Sequence, residues 1–344
     1  MNILIRADAS VSVGTGHVMR CLALAQTFVD QGIQVRFAAS EMTAALKKRL
    51  EAEGLLILMI EAAVGSKEDA EHTVHIAQHY QAAWIVVDGY QFGSDYQETI
   101  KSHGLKLLFL DDYCHCDRYS ADIILNQNIY ASTDLYPCRD SSSLFLLGTQ
   151  YVLLRREFHA WLGWQRVIEK VPQKLLVTLG GSDPNNLTQV IIEAIQDTDF
   201  QLEAVIVVGG SNPYLRQLQE IAETSSHLIQ LKHNVKNMSQ LMEWADVAIA
   251  SGGSTCWELA FMGLPSLLIT LADNQRKNVH ALDSLGIMKE ISHKKGSLRE
   301  AIIQGLKSIF SEEVRLDMST KSQSLVDGQG VARVLRHLNE KESM

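Results

Sequence analysis

Long hydrophobic runs are missing from this sequence of 344 residues. No apolar run approaches the roughly 20 residues that a membrane-spanning helix needs. The N-terminus, MNILIRADAS, also lacks a basic segment followed by a long apolar run, so it does not look like a secretory signal. We therefore expect a soluble cytoplasmic protein that has no membrane partner.

Cysteine is scarce and irregularly placed. The chain has five cysteines, at positions 21, 114, 116, 138 and 256. Their odd number and lack of a repeating spacing exclude a disulfide framework and favour free thiols in a reducing compartment.

Positive charge is in deficit as well, because 31 lysines and arginines face 40 acidic residues, for a net charge of -9. A surface of this sign repels phosphate polymers, which excludes non-specific nucleic-acid binding. A local basic pocket for one small anion remains compatible with it.

The composition that is present is that of a folded protein, with 46% apolar and 21% charged residues. A chain of this length exceeds one ordinary core, so we predict two domains. Short apolar runs alternate with longer amphipathic stretches, a pattern typical of parallel sheets covered by helices on both faces. In the first half, the predicted strands are 1–5, 33–40, 82–90, 105–113 and 121–128, and helix 18–31 follows the first of them.

The same rhythm restarts in the second half. Predicted strands there are 174–181, 202–210, 227–234, 246–253 and 265–270, the last closing the series, with helices starting near Asn186 and Pro213 and covering 238–245 and 254–263. All five prolines lie at 137 or later, so the composition also shifts near the middle. We predict an N-terminal doubly wound α/β domain over 1–152, a linker over 153–172 and a second α/β domain over 173–344.

Glycine-rich segments follow four of the predicted strands. They are GTGH (14–17), GGSD (180–183), GGSN (209–212) and SGGST (251–255). Open parallel sheets bind ligands at the carboxyl ends of their strands, so we expect a ligand in a cleft between the two domains.

The SGGST segment leads into a predicted helix. Ser254 and Thr255 suit an N-cap, and the exposed amides of a first helical turn attract phosphate. Glu258 lies one turn further, where a carboxylate could accept hydrogen bonds from both ribose hydroxyls. The alternative is an ordinary capped helix with Glu258 in solvent.

Two further loops of the second half are candidates for nucleotide binding. In LGGSDPNNLT (179–188), we expect amides around Gly181 and Ser182 to face a diphosphate, with Asp183 serving either that loop or only as an N-cap. The loop at Val235 could read a flat heterocycle through its backbone, or could simply connect a strand to a helix.

His17 stands at the start of the first predicted helix. A core histidine satisfied by backbone groups is the ordinary interpretation, but Gly14 and Gly16 open space around it and Arg20 follows on the same helical face. The positive end of the helix dipole disfavours the imidazolium form. A neutral imidazole is what a general base requires near pH 7, so we predict catalysis by His17 with substrate contacts from the three neighbours.

Other clusters are weaker candidates. His72, His75 and His79 could share a helix face, but no partner at ligand spacing completes a zinc site, so a solvated face is the better interpretation. The spacing of Cys114-His115-Cys116 is too tight for a structural zinc site. Asp88 and Asp111 end strands as caps or cleft residues, and Tyr90 is a plausible partner for a substrate.

Taken in order, these motifs carry a resemblance to a known family. RADAS, GTGHVMRCLALA, VVDGY, FLDDY, ADIILNQN, YVLLRREF, GGSD and SGGSTCWELAFMGLP are similar to segments of the UDP-sugar hydrolases of pseudaminic acid biosynthesis, the PseG family. The resemblance covers most of the chain, and its C-terminal motifs are shared with the wider GT-B group that includes the glycosyltransferase MurG. It implies a GT-B fold with UDP held mainly by the C-terminal domain.

The resemblance also implies roles for individual residues. His17 matches the base of the family, Tyr90 a tyrosine that assists it, and Glu258 the ribose-binding glutamate. Asn274 matches an asparagine near the sugar or phosphate, and Arg155 an arginine at the domain junction.

The implied reaction is hydrolysis of UDP-2,4-diacetamido-2,4,6-trideoxy-β-L-altropyranose at its anomeric carbon, with inversion and with neither metal nor cofactor. In it, the helix N-termini at 182–187 and 254–258 stabilise the leaving UDP. A GT-B glycosyltransferase and a non-catalytic nucleotide-sugar binding protein are the alternatives. The sequence leaves the oligomeric state open.

Overall fold

A computed structural model describes residues 1–10, 14–181, 183–210, 212–292 and 297–342. The chain divides into two compact units. The N-terminal unit comprises Met1–Arg156 together with Gly328–Met344, and the C-terminal unit comprises Glu157–Asp327.

The N-terminal unit is built on a parallel sheet of seven strands in the order β3-β2-β1-β4-β5-β6-β7. The strands are β1 (Asn2–Ala7), β2 (Gln34–Ala39), β3 (Leu56–Met59), β4 (Trp84–Asp88), β5 (Lys106–Leu110), β6 (Ile123–Asn126) and β7 (Leu144–Leu147). The helices are α1 (Gly16–Asp30), α2 (Ala44–Ala52), α3 (Lys67–His79), α4 (Ser94–Ser102) and α12 (Gly330–Glu342).

Both faces of this sheet are buried, which explains the runs of consecutive apolar residues in its central strands. Successive residues of β1 enter different cores: Ile3 and Ile5 pack on the side of α1 and α12, and Leu4 packs on the side of α3 and α4. In β4, Val86 and Val87 alternate in the same way. Side chains of a strand point to opposite faces in turn, so a strand covered on both sides favours apolar residues at successive positions.

The C-terminal unit holds a second parallel sheet, with six strands in the order β10-β9-β8-β11-β12-β13. Its strands are β8 (Lys174–Thr178), β9 (Glu203–Val208), β10 (Leu228–His233), β11 (Val247–Ser251), β12 (Ser266–Ile269) and β13 (Lys289–Glu290). Its helices are α5 (Leu187–Gln196), α6 (Leu215–Glu223), α7 (Met238–Trp244), α8 (Thr255–Phe261), α9 (Arg276–Ser284), α10 (Leu298–Ser308) and α11 (Glu312–Leu325).

Every strand predicted from the sequence is present, and the prediction of two doubly wound α/β sheets is confirmed. Three short strands were not predicted: β3, β7 and β13. β3 and β7 lie at the two edges of their sheet, and Leu56 and Met59 of β3 are each half exposed. β13 has two residues, neither of them apolar, so no continuous apolar run marks it.

The units differ from the predicted boundaries of 1–152, 153–172 and 173–344 at both junctions. Val152 and Leu154 are buried and Leu153 joins the N-terminal core, so the predicted linker is divided between the units. Val331, Val334 and Leu338 of α12 enter that same core, so the C-terminal segment packs with the first unit. Helix α12 packs beside α1 in this core, a contact between distant parts of the chain that local sequence patterns do not encode.

Among the described residues, no helix combines the length and apolar character required to cross a membrane.

Candidate active site

Polar side chains gather where the central strands of the N-terminal sheet end. β1, β4 and β5 are neighbours, and Asp8, Asp88, Asp111 and Asp112 lie at or just beyond their carboxyl ends. Helix α1 begins at Gly16, and His17 is its second residue, only 7% exposed. Because carboxyl ends of parallel strands meet at one edge, this arrangement brings a histidine and several carboxylates together.

His17 is held by Asp88. Its Nδ1 lies 2.7 Å from Asp88 Oδ1, and Asp88 is fully buried. Burial alone would raise the pKa of the Asp88 carboxyl, but the Arg20 guanidinium and His17 outweigh it and hold that pKa well below its usual range. The carboxylate can only accept, so Nδ1 of His17 must carry the shared proton, which leaves Nε2 of the neutral ring with its lone pair.

Arg20 joins the two carboxylates that follow β4 and β5. Its Nε and Nη2 bind both oxygens of Asp88, at 2.5 and 2.6 Å, and its Nη1 lies 2.7 Å from Asp112 Oδ1. Burial would raise the pKa of Asp112, but the charge and hydrogen bond of Arg20, with a further bond from Tyr90, lower it. All three guanidinium nitrogens are used in this way, so Arg20 holds in place the carboxylate that binds His17.

Tyr90 completes this cluster. Its hydroxyl donates to Asp112 Oδ2 over 2.6 Å, and its ring meets the His17 ring edge to face, with 4.6 Å between centroids. Asn128 Nδ2 also donates to Asp112 Oδ1, at 3.1 Å. A continuous hydrogen-bonded chain therefore runs from Tyr90 through Asp112, Arg20 and Asp88 to Nδ1 of His17.

The two glycines before His17, Gly14 and Gly16, differ in their backbone conformation. Gly14 has a φ of 80°, a conformation that favours glycine, and its amide bonds back to the Ser10 carbonyl at 2.9 Å. A Cβ at Gly16 would meet no atom within 4 Å and its φ is ordinary, so packing does not require a glycine there. The space beside the start of α1 is consistent with the prediction that Gly16 leaves room near His17.

A second buried network fixes the end of β1. Arg6 is fully buried and binds Asp69 of α3 through two nitrogens, at 2.9 and 2.7 Å, and it also bonds to Asp8. Asp8 Oδ1 in turn accepts the amides of Ser40 and Glu41, at 2.7 and 2.8 Å. The residues just before the loop that leads to α1 are thereby tied to β2 and α3.

In the C-terminal unit, Asp183 lies in the turn before α5 and bonds to the first residues of that helix. Its two carboxylate oxygens accept the amides of Leu187 and Thr188, each at 2.9 Å, and Thr188 Oγ1 bonds to it at 2.6 Å. Of the stretch 182–187 that the sequence predicts to face a diphosphate, the Leu187 amide is thus already bonded to a buried carboxylate of the chain. Gly181 lies just before this cap, half-buried, and Ser182 lies outside the described residues.

Packing accounts for two of the glycine-rich turns. A Cβ at Gly209 would lie 2.3 Å from the carbonyl oxygen of Gly181 and 2.5 Å from that of Gly180, so Gly209 permits the β8 and β9 turns to touch. A Cβ at Gly252 would lie 2.2 Å from Val279. These glycines have a structural reason that a glycine count alone does not reveal.

The remaining predicted contacts of this unit lie on three segments. Ser254 precedes α8, Thr255 begins it and Glu258 is in its first turn, all three half-buried. Val235 is half-buried in the loop after β10, and Asn274 is exposed in a short 3₁₀ helix, Asp273–Gln275. Arg155, by contrast, is buried in the N-terminal unit, close to the unit boundary.

The structure thus groups the predicted site residues by unit. His17, Tyr90, Gly14, Gly16, Arg20 and Arg155 belong to the N-terminal unit, and Gly181, Val235, Ser254, Thr255, Glu258 and Asn274 to the C-terminal unit. Sequence reasoning missed the part played by Asp88 and Asp112. The signal was in VVDGY and FLDDY, where two buried strands each end in aspartate.

The weaker clusters lie elsewhere. His72, His75 and His79 are exposed on α3, so the prediction of a solvated face is confirmed. His115 bonds to Asp111 at 2.6 Å, and all five cysteines are free thiols. Over the described ranges, no group of histidine, cysteine and acidic residues is arranged to hold a metal ion.

The chain has the GT-B fold that the sequence predicts, with two doubly wound α/β units. Among solved structures, it is similar to MurG of Acinetobacter baumannii, with a TM-score of 0.68 and 14% identity over 98% of this chain and 99% of that one. Residues 175–334 match the family described as the glycosyltransferase family 28 C-terminal domain.

Curated relatives cover most of the chain at low identity. One is the UDP-2,4-diacetamido-2,4,6-trideoxy-beta-L-altropyranose hydrolase of Campylobacter jejuni, 28% identical over 85% of this chain and 100% of its own length. Another is an uncharacterized protein of Methanocaldococcus jannaschii, 25% identical over 80% of this chain. The chain spans only 57% of the length of that second relative.

Proposed function

We propose that this protein is an enzyme that acts on a UDP-sugar, and specifically that it hydrolyses UDP-2,4-diacetamido-2,4,6-trideoxy-β-L-altropyranose to UDP and the free sugar. The similarity to the Campylobacter hydrolase over that protein's whole length supports the substrate. The observation that carries the reaction is the bond between His17 Nδ1 and Asp88, because it leaves Nε2 able to accept a proton.

In the proposed step, His17 Nε2 takes a proton from a water molecule as the water oxygen attacks the anomeric carbon. The bond between that carbon and the β-phosphate oxygen breaks, and its electron pair leaves with UDP. Attack opposite the leaving group inverts the anomeric configuration. Asp88 stabilises the imidazolium as it forms and keeps the ring oriented, as the acidic member of a hydrolytic triad does.

Tyr90 and Arg20 have supporting roles in this proposal. Tyr90 packs on the His17 ring and limits its rotation. Arg20 fixes Asp88 by two parallel bonds, a geometry that holds a carboxylate in one orientation. Gly14 and Gly16 leave room for the sugar, and Arg155 would act from the unit boundary.

Binding of the nucleotide is assigned to the C-terminal unit. The amides of Gly181, Ser182, Ser254 and Thr255 would stabilise the charge that develops on the diphosphate, without a metal. Glu258 would accept the ribose hydroxyls, the backbone at Val235 would contact the base, and Asn274 would contact the sugar or phosphate. The match to a glycosyltransferase family 28 C-terminal domain supports this assignment.

The test is product analysis in ¹⁸O-enriched water with a panel of UDP-diacetamido sugars. Hydrolysis by the proposed route places the label in the free sugar, and the altropyranose donor should be the best substrate. Label in UDP would mean attack at phosphorus and would overturn the mechanism. Tight UDP binding with no turnover of any donor would mean that the protein is a non-catalytic nucleotide-sugar binding protein.

A UDP-sugar glycosyltransferase is the second candidate, because the family 28 domain match and the similarity to MurG favour it. Its frame would be the same, but an acceptor hydroxyl would replace water as the attacking group. Candidate acceptors are added to the reaction for this test. Formation of a glycoside in place of the free sugar would show that the protein is a glycosyltransferase.

A further inference from the structure

A second histidine–aspartate pair, His115 and Asp111, lies next to Tyr90 and has no part in the reaction described so far. His115 Nδ1 is 2.6 Å from Asp111 Oδ1, and its Nε2 is 3.2 Å from the Phe92 carbonyl oxygen. The His115 side chain is 8% exposed and Asp111 is fully enclosed. This pair therefore joins the segment after β5 to the segment after β4.

Both ring nitrogens of His115 face acceptors. A carbonyl oxygen has no proton to give, so Nε2 must donate, and an ionised carboxylate likewise requires a proton on Nδ1. Burial alone would lower the pKa of His115, but the hydrogen bond to Asp111 and the influence of the neighbouring Cys116 raise it to about 10. Near neutral pH the ring is an imidazolium that donates in two directions.

The groups that face this ring come from three elements. Asp111, Tyr113 and Cys116 belong to its own turn, Tyr90 and the Phe92 carbonyl belong to the turn after β4, and Phe109 of β5 stacks on the ring at 5.8 Å. Asp111 also accepts the Tyr136 hydroxyl at 2.8 Å. The Asp111 carboxylate bonded to the ring balances the charge of an imidazolium at this position.

Both turns that His115 joins are shaped by unusual backbone. The first closes through a bond of 3.4 Å from the Phe92 amide to the Gly89 carbonyl, with Gly89 at a φ of 152°. The second has Cys114 at a φ of 61°, its amide bonded to Asp111 Oδ2 at 2.8 Å. The first turn carries Tyr90 and the second carries Asp112, the two ends of the bond that seats the tyrosine hydroxyl.

We propose that His115 is a positioning residue, a cation that clamps these two turns together and so keeps the Tyr90 ring against His17. The ring of Tyr90 lies between the two histidines, with its centroid 4.6 Å from that of His17 and 5.7 Å from that of His115. A neutral His115 satisfies only one of its two acceptors, so loss of the proton releases one turn. The catalytic consequence rests on the proposed hydrolysis.

The first experiment does not depend on activity. Selectively labelled full-length protein is followed by NMR, and His115 resonances are assigned by their loss in His115→Gln. Two ring N–H signals that persist above neutral pH, and a Tyr90–His17 ring contact that weakens as the pH rises toward about 10, are expected. A His115 ring that titrates near its ordinary value of about 6.5, or a ring contact unchanged in His115→Gln, overturns the clamp.

The second experiment measures turnover of the UDP-sugar by His115→Gln and His115→Phe, with His75→Gln on the exposed face of α3 as the control. The Phe variant keeps the stacking on Phe109 and loses both hydrogen bonds. We expect kcat to fall about 10- to 100-fold in both, with the dissociation constant for UDP unchanged. Unchanged kcat in both variants overturns the catalytic consequence. If wild type turns over no UDP-sugar, the proposed function fails while the NMR result still decides the clamp.

Discussion

Asp88 Oδ1 accepts the Nδ1 proton of His17 over 2.7 Å, and the same carboxylate receives two nitrogens of Arg20. The buried Asp88 carboxylate therefore orients His17, the proposed base, and is itself held in place by Arg20. This sharing fixes which nitrogen of His17 is protonated, and the proposed role of His17 as the base follows from that.

Replacing His17 by alanine should slow turnover strongly and leave nucleotide binding intact. The expected loss in kcat is about 10²–10⁴-fold, the usual contribution of a positioned base. Release of UDP from the UDP-sugar gives the rate, and calorimetric titration with UDP gives the affinity. His75→Ala, on the solvated face of α3, should match wild type in both. Full turnover by His17→Ala would remove His17 from the mechanism.

The Asp88→Asn change tests the orientation of the base. An amide NH₂ facing His17 makes Nδ1 an acceptor and moves the ring proton to Nε2, so kcat should drop by about 10²–10⁴-fold. Kinetics at saturating substrate measures this, and a nitrogen chemical shift of His17 reports the change of tautomer. Asp95→Asn, at an exposed position in the first turn of α4, is the matched control. An unchanged tautomer combined with unchanged kcat would contradict the role of Asp88.

Acid should remove the stabilisation that Asp112 provides. Its pKa is lowered in the fold mainly by Arg20, against the effect of burial. The contribution is therefore complete above the unfolded pKa of about 3.9 and is lost as the pH falls from there through the lower folded pKa. Urea unfolding at several pH values should show Asp112→Asn about 1–3 kcal/mol less stable at pH 7, a gap that narrows below about pH 4. A gap that widens in acid would reverse the sign and refute the assignment.

Raising the pH should remove the stabilisation that His115 provides, whereas the contribution of Asp112 is lost when the pH falls. The pKa of His115 is raised to about 10 by Asp111 and Cys116, in spite of burial. The stabilisation is complete below the unfolded pKa of about 6.5 and declines as the pH rises through the folded value. The unfolding free energies of wild type and His115→Gln should therefore differ by about 2–5 kcal/mol near pH 6 and converge toward pH 10. His103→Gln, at an exposed position after α4, should show no such convergence.

Asp183 should matter to the stability of α5. Asp183→Ala removes the acceptor of two helix amides and should cost about 1–2 kcal/mol of unfolding free energy. Asp183→Asn keeps an acceptor and tolerates the φ of 43°, so it should cost less. Chemical unfolding of the two variants beside wild type gives the comparison. Equal losses would mean that charge, and not capping, is what Asp183 supplies.

The sequence predicts the sheets of this protein better than it predicts the contacts of its site. Buried strands are continuous apolar runs, so β1, β4 and β5 were placed correctly, along with the helix that carries His17. The partners of His17 were not predicted, because local patterns do not show which strand-end carboxylate reaches which helix.

The pair Asp111 and Asp112 shows the difficulty most clearly. They are consecutive, yet Asp111 binds His115 and Tyr136 while Asp112 binds Arg20 and Tyr90. Neighbouring side chains at the end of a strand point to opposite sides of the sheet, so the distinction depends on register and on the twist of the turn. Likewise, the sequence alone does not show whether a carboxylate after a glycine-rich turn binds a ligand or caps a helix. In the structure, Asp183 accepts two amides of α5.

The packing of α12 has a consequence for the order in which the protein folds during its synthesis. Val334 and Leu338 are fully enclosed in the hydrophobic core built around β1 and α1, and Gly330 passes so close to Val152 that a Cβ would lie 2.1 Å from its carbonyl oxygen. The ribosome makes these residues some three hundred positions after β1. The core of the N-terminal unit is therefore completed only after the whole C-terminal unit has been synthesised, and the apolar surface that α12 covers stays open until α12 itself has been made.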